Sequence, residues 1–312
     1  MSRFKVVTAD QVFPDVGIER KLFAEIDASL EVSNATTEDL LARGADADAI
    51  LTTYFPIPAS TIAGLKRCKV IAKTGIGTDN IDVRAAKEAG IVVTNVPDYC
   101  VEEVADHSLA LLLALLRKIP EGDALVKSGG WGLLRPIERL SELTVGLVGY
   151  GKIARRLGSA LTQLGMRLLV HDPYLSPAPG LPPLVPLEEL LRSADAVSLH
   201  APLTSETRGL IGAQQLALMS PLAVLVNTSR GGLIVQDELF AALRAGTIRG
   251  AALDVFDTEP MDPQRFAGVP GLIATPHIAY YSEAAFRECQ TKAATQIVKV
   301  LKGEEPDYPV AP

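Results

Sequence analysis

Short apolar runs separated by amphipathic stretches pattern the first hundred residues. Phe4 to Ala9, Leu30 to Ser33, Ala49 to Thr52, Val70 to Thr74 and Ile91 to Asn95 have the length and composition of buried strands. Between them, Ile18 to Ile26 and Asp82 to Ala89 carry helical spacing, and Thr37-Glu38-Asp39-Leu40 reads as a helix start. Strand and helix alternating in this way predict a parallel sheet covered on both faces. Val101 to Arg117 is a long, almost wholly apolar helix, expected to be buried between domains or subunits.

Beyond the loop Gly129-Gly130-Trp131-Gly132 the alternation resumes. Strands are predicted over 145–149, 166–170, 196–199, 222–226, 250–253 and 272–274, with helices over 153–164, 187–192, 214–218 and 237–244. Ser282 to Leu301 closes as an amphipathic helix with Ser282 as its N-cap. The polar, proline-rich stretch Gly303 to Pro312 is expected to be loosely held. The pattern as a whole is α/β, with parallel sheets covered by helices.

Composition narrows the picture. With 312 residues, 48% of them hydrophobic, the chain can bury two ordinary cores. A net charge of −7 without a long basic run argues against nucleic acid or an anionic membrane as partner. The longest wholly apolar run, Leu109 to Leu116, is too short to span a bilayer. Met1-Ser2-Arg3-Phe4-Lys5 shows no signal-peptide pattern. Cys68, Cys100 and Cys289 are odd in number and widely spaced, so they read as reduced structural thiols in a cytoplasmic protein, with no metal site.

One stretch carries explicit chemistry. Val145 to Gly149 ends in Gly149-Tyr150-Gly151-Lys152-Ile153-Ala154, a Gly-x-Gly-x-x-Ala turn that opens a helix, and the next strand ends at His171-Asp172. This is the dinucleotide-binding unit: Gly149 allows the tight turn, Gly151 admits a pyrophosphate, and the helix N-terminus favours its charge. Asp172 is placed to accept hydrogen bonds from an adenine ribose and would repel a 2′-phosphate, which selects NAD over NADP. The prolines between 173 and 186 form a stiff wall suited to the adenine side.

Ligands in open α/β sheets lie beyond the carboxyl ends of the strands. Four such places stand out: Gly75-Ile76-Gly77, Asn227-Thr228-Ser229-Arg230-Gly231-Gly232, Asp254 with Glu259, and His277. Arg230 has the planar fork that holds a carboxylate bidentately, and its alternative is a surface ion pair. Of four histidines, His107 lies in the apolar helix as a core or interface residue. His171 neighbours the ribose acid, and His200, before Ala201-Pro202, lines the cofactor site without doing chemistry. His277 is left by elimination as proton donor or acceptor, with Glu259 a candidate partner that would favour its protonated form.

The chain resembles the D-isomer-specific 2-hydroxyacid dehydrogenases over essentially its whole length. The resemblance rests on Thr74-Gly75-Ile76-Gly77-Thr78-Asp79-Asn80-Ile81-Asp82, the turn at 149–154, Asn227 to Gly232, Gly250 to Phe256, Glu259-Pro260 and Thr275-Pro276-His277. It implies reversible hydride transfer between NAD(H) and a small 2-keto or 2-hydroxy acid. His277 would be the general acid/base, Glu259 its partner and Arg230 the carboxylate clamp. Gly75, Ile76 and Gly77 would meet the carboxylate through backbone N–H groups. The cofactor would be held by the residues of the glycine turn with Asp172, His200, Ala201, Pro202, Thr207, Thr228 and Ser229, and Asp254 would orient the carboxamide.

The family architecture implies two doubly wound parallel-sheet domains, a Rossmann NAD-binding domain at 101–282 and a flavodoxin-like substrate domain made of 1–100 and 283–312. A cleft would lie between them, and the chain would pair as a homodimer through the NAD-binding domain. Pro97 to Asp106 and His277 to Glu283 further resemble the branch of the C-terminal-binding-protein corepressors, with Tyr280 at their pocket tryptophan. That branch offers a second reading, an NAD(H)-sensing interaction protein with vestigial activity. Lys73 replaces an arginine of many relatives and is expected to be a solvated strand-end lysine. Phosphite oxidation is disfavoured because Ile76 stands where that chemistry is associated with lysine. Tyr54, Phe55, Tyr280 and Tyr281 favour a substrate larger than glyoxylate, while glyoxylate, hydroxypyruvate, an aromatic 2-keto acid and 3-phosphoglycerate all stay open.

Overall fold

A computed structural model describes residues 2–311; Met1 and Pro312, the outermost residues of the two terminal segments read above, lie outside the described residues. In chain order the first elements are β1 (Phe4–Thr8), α1 (Gly17–Ala24), β2 (Ala28–Val32), α2 (Thr37–Gly44) and β3 (Ala49–Thr52). They continue with α3 (Ala59–Ile62), β4 (Val70–Lys73), α4 (Val83–Glu88), β5 (Val92–Thr94), α5 (Val101–Leu116) and α6 (Ile119–Lys127). Then come β6 (Thr144–Val148), α7 (Lys152–Gln163), β7 (Arg167–His171), α8 (Leu187–Ser193), β8 (Ala196–Leu199) and α9 (Ala213–Leu216). The remainder is β9 (Val224–Asn227), α10 (Gln236–Ala245), β10 (Gly250–Leu253), α11 (Pro263–Phe266), β11 (Leu272–Ala274) and α12 (Glu283–Lys302).

These elements form two compact units, residues 1–99 with 282–312 and residues 100–281. The first unit is a five-stranded parallel sheet of order β2-β1-β3-β4-β5, the flavodoxin-like order. Val7, Ile50 and Ile71 on its central strands are fully buried, as continuous apolar runs in a doubly covered sheet require. Helix α12 completes this unit: its Ser282 side chain caps the first turn, and Gln290 donates to both oxygens of the buried Glu19 on α1 at 3.0 and 3.1 Å. The expectation of a loose tail is corrected here. Tyr308 and Val310 hydrogen-bond to Asn95 and Val93, and Thr94 and Pro309 form an antiparallel bridge. The open edge of β5 offers backbone groups that a polar tail can satisfy.

The second unit is a six-stranded parallel sheet of order β11-β10-β9-β8-β6-β7, extended beyond β7 by a single parallel bridge between Val170 and Leu184. The chain direction reverses at β6, so the turn after β6 sits at the switch point where doubly wound folds bind nucleotides. Within this unit α5 buries Val104, Ala105, Ser108, Leu111, Leu112, Leu115 and Leu116, a stripe at helical spacing packed on α7 and the sheet. Glu102 and Asp106 face outward and pair with Arg156 of α7. Helix α6 was not legible in the sequence, and it has no buried residue. Among the described residues no helix is long and apolar enough to cross a membrane.

Candidate active site

The glycine turn is built as a phosphate cradle. Gly149 has φ +84°, and a Cβ there would lie 2.7–2.8 Å from the backbone of His200 and Ala201, so only glycine fits. At Gly151 no protein atom lies within 4 Å of an added Cβ, so the space is open for a ligand. No side chain caps α7, which leaves its first N–H groups available to an anion. Asp172 is half-buried at the end of β7, and its carboxylate accepts the Tyr150 N–H at 2.9 Å and the Tyr174 N–H at 3.0 Å. It therefore also shapes the turn. Lys152 and Ile153 open α7, and the Tyr150 ring is buried beneath the Arg155 guanidinium. These features fit a dinucleotide.

Opposite this turn, on the same edge of the sheet, the loop after β8 is held by its own side chains. Thr207 donates to the Pro202 carbonyl at 2.6 Å, and Ser198 Oγ lies 2.9 Å from His200 Nε2. Burial pushes His200 down to about 4, so it is neutral at pH 7. That suits the non-chemical role expected of it. Ser229 donates to the Leu199 carbonyl and Thr228 hydrogen-bonds Ser108, which ties the end of β9 to both neighbours.

Arg230, Glu259 and His277 come together. Gly231 packs against the backbone of Phe256 and Asp257, where a Cβ would meet Phe256 at 1.9 Å. This close approach sets Arg230 beside the loop that carries Glu259. His277 Nδ1 lies 2.7 Å from Glu259 Oε2, and Glu259 Oε1 accepts the Phe256 N–H at 2.9 Å. Burial works to raise the Glu259 carboxyl, but the hydrogen bond and charge of His277, the Phe256 N–H and the Arg230 charge outweigh it and hold it below its ordinary value. An ionised carboxylate accepts a hydrogen bond from Nδ1–H, which leaves the proton exchange to Nε2.

His277 has φ +53°, a left-handed conformation that is costly outside glycine. Asp254, fully buried, holds it there. Its main-chain carbonyl accepts the His277 N–H, and its carboxylate accepts the Ile278 and Ala279 N–H groups at 2.9 Å each and the Thr275 hydroxyl at 2.6 Å. The Tyr280 ring stands edge-on to the imidazole, 5.8 Å between centroids. Sequence reasoning missed the partner of Thr275, which is His107 on α5, with Nε2 3.1 Å from Thr275 Oγ1. The signal was two adjacent polar residues, His107 and Ser108, on the inner side of an apolar helix.

In the other unit, the loop after β4 presents Gly75, Ile76 and Gly77. The carbonyls of Gly75 and Ile76 are taken by Val96 N–H and the Asn95 amide, and among the described residues the N–H groups of Ile76 and Gly77 have no protein acceptor. Lys73 corrects the expectation of a solvated lysine. It is 7% exposed, and its ammonium donates to the Thr53 carbonyl and, at 3.0 Å, to Asn80 Oδ1. Burying a charge is tolerable because both acceptors meet it. Among the described residues no His, Cys, Asp and Glu cluster could hold a metal ion.

Comparison with known proteins agrees with this geometry. Residues 109–279 match the family model for the NAD-binding domain of D-isomer specific 2-hydroxyacid dehydrogenases. The chain is 36% identical over 307 residues to a D-3-phosphoglycerate dehydrogenase of Methanocaldococcus jannaschii, covering 96% of this chain and 58% of that protein. It thus spans little more than half the length of that relative. It is 35% identical to a glycerate dehydrogenase of Methylorubrum extorquens, with 91% of each chain covered. The crystal structure of a D-lactate dehydrogenase from Aquifex aeolicus, complexed with NAD and lactic acid, superposes with a TM-score of 0.87 at 27% identity, covering 96% of both chains. With a strand-end Arg230, a paired Glu259 and His277, and an uncapped helix behind a glycine turn, the chain belongs to the D-isomer specific 2-hydroxyacid dehydrogenase family.

Proposed function

We propose that this chain is an NAD-dependent D-2-hydroxyacid dehydrogenase that interconverts a small 2-keto acid and its D-2-hydroxy acid. The observation that carries this reading is the 2.7 Å contact of His277 Nδ1 with Glu259, which leaves Nε2 as the one ring nitrogen able to exchange a proton. In reduction His277 gives that proton to the keto oxygen, and in oxidation it takes one from the hydroxyl. Glu259 orients the ring and stabilises the imidazolium. Arg230 clamps the substrate carboxylate and helps polarise the keto group. In the other unit the N–H groups of Ile76 and Gly77 are donors suited to an anionic group. With the pyrophosphate held at the glycine turn and the carboxamide oriented by Asp254, a bound NAD would supply or accept the hydride through its nicotinamide.

The unit of residues 1–100 and 283–312 is then the substrate-binding domain and 101–282 the NAD-binding domain. Asp172 supports NAD over NADP. A homodimer through the NAD-binding domain is supported by the exposed apolar side chains Ile119, Val126, Trp131 and Leu133. Three buried cysteines, none in a disulfide among the described residues, suit the reducing cytoplasm.

The test is NADH consumption with glyoxylate, hydroxypyruvate and an aromatic 2-keto acid, NAD⁺ reduction with 3-phosphoglycerate, and NADPH as parallel control. Turnover of roughly 1–1000 s⁻¹ on one of them is expected. His277→Ala should lower it by about 10²–10⁴-fold and leave NADH affinity unchanged. Tight NADH binding without turnover on any substrate would replace this reading with that of an NAD(H)-sensing interaction protein.

A further inference from the structure

Helix α5 carries a second histidine into the neighbourhood of the first. His107 Nε2 lies 3.1 Å from Thr275 Oγ1 and 3.7 Å from Asp254 Oδ1. The hydroxyl of Thr275 has a single proton, and its 2.6 Å contact with Asp254 Oδ1 assigns that proton to the carboxylate. The hydroxyl oxygen then accepts from His107, so His107 carries its proton on Nε2 in either charge state. The hydrogen bonds run in one direction, from His107 to Thr275 to Asp254.

Asp254 is where this chain meets the reacting group. It is wholly buried, and apart from Thr275 its carboxylate is met by the N–H groups of Ile278 and Ala279, while its carbonyl takes the N–H of His277. One residue thus pins both sides of a histidine held at φ +53°. Among the described residues His107 is the basic side chain within ion-pair distance of that carboxylate. The turn's other charged neighbours are Glu259, on His277 itself, and Arg230, whose charge Glu259 feels.

We propose that His107 is a positioning residue: acting through Thr275 and Asp254, it holds the His277 turn in the geometry proton transfer needs, without touching substrate. This rests on the reading of His277 as acid/base. A strained turn kept by four hydrogen bonds to one carboxylate-bearing residue relaxes when that carboxylate rotates. His107 and Thr275 act on Oδ1, the oxygen that also accepts the Ile278 N–H, and so help to fix the carboxylate's rotation. Removing the donor frees Thr275 to turn its proton elsewhere, and the geometric requirement of proton transfer makes kcat the sensitive quantity.

The experiment compares His107→Leu, which removes the donor, with His107→Gln, whose amide keeps an N–H near the position of Nε2. In His107→Leu, kcat should fall about 10–100-fold with NADH affinity and melting temperature close to the parent. His107→Gln should recover most of that loss. Thr275→Val serves as the second variant should His107→Leu fold poorly. Its effect should match His107→Leu, and the double variant should be no worse than either alone.

A second readout needs no turnover: the imidazole ¹⁵N resonances of His277, identified by their loss in His277→Ala, should shift in position and in titration midpoint in His107→Leu and return in His107→Gln. If the parent shows no dehydrogenase activity but these resonances respond, the dehydrogenase reading fails and the coupling stands. Resonances of His277 unchanged in both His107→Leu and Thr275→Val would overturn the proposal, as would equal loss in the Leu and Gln variants in proportion to lost folded protein.

Discussion

Two Gly-x-Gly turns follow parallel strands in this molecule, and they are built for different work. The turn after β6 has Gly149 at φ +84°, backbone of a neighbouring loop against it, and an uncapped twelve-residue helix beginning at Lys152. The turn after β4 has no positive φ at Gly75, and the next helix, α4, is short and capped by Asp82, whose carboxylate accepts the Ala85 N–H at 2.9 Å. A glycine pair at a strand end therefore does not make a nucleotide site. What makes one is the helix behind it, with its first N–H groups left for the ligand.

The largest effect should come from putting the same substitution into each turn. Gly149→Ala forces a left-handed alanine into the His200–Ala201 backbone and should cost roughly 2–4 kcal/mol of stability with loss of NADH binding. Gly75→Ala meets only the flexible Lys73 Cε, at 3.2 Å, and should cost below about 1 kcal/mol. Paired urea unfolding curves check both, and equal costs would erase the distinction.

Acid should separate the two units as well. His200 backs the Gly149 turn and has its pKa pushed by burial from 6.5 to about 4. Protons bind the unfolded chain first, so stability present above about pH 6.5 is lost as pH falls toward 4, by no more than about 3 kcal/mol. In the other unit burial raises Glu19 above 4.5, outweighing its hydrogen bonds. Its contribution is fullest below its ordinary value and is lost as pH rises through the raised one. Hydrogen exchange at β6 and α1 between pH 7 and 5, corrected for intrinsic rates, should show β6 opening first, and His200→Gln should delay it. A parallel response of both segments would contradict this.

Smaller effects sharpen the contrast. Gly151→Ala should fold normally, because an added methyl meets no protein atom, yet weaken NADH about tenfold by crowding a ligand. Titration of NADH fluorescence measures it, and unchanged affinity would move the pyrophosphate elsewhere. Asp82→Ala should cost about 1 kcal/mol of stability through the lost cap and leave NADH affinity alone.

The strand-to-Asp172 unit was legible because every part of it is local: alternation, glycine spacing and the terminal acid lie within 28 residues, 145–172. The same holds for most strands, whose apolar runs agree with the sheets to within two residues. What escaped depends on partners far along the chain. Helix α6 carries Pro120 and Gly122 and buries nothing, so it lacks the apolar stripe by which helices are read. Lys73 looks like a surface lysine until Thr53 and Asn80 close over it. His107 meets Thr275 across 168 positions, and its helix gave no hint beyond two polar residues in an apolar run. His277 was reached by elimination with Glu259 as a candidate partner, and family resemblance implied their pairing; the loop that brings them together is set by Gly231 against Phe256.

The unit completed by α12 is assembled from two stretches separated by all of residues 100–281. On the ribosome this imposes a schedule. At about 5–20 residues per second, roughly 9–36 s pass between the emergence of β5 and that of α12. During that interval the first sheet lacks the helix that covers β3 and β4 and the strand-like tail that closes β5. The contiguous unit emerges over that same interval and is complete only as α12 begins, so until then the first half stays within reach of a chaperone or a protease. Released chains truncated before Glu283 should accordingly be cut by protease within residues 1–99 and resist it within 100–281.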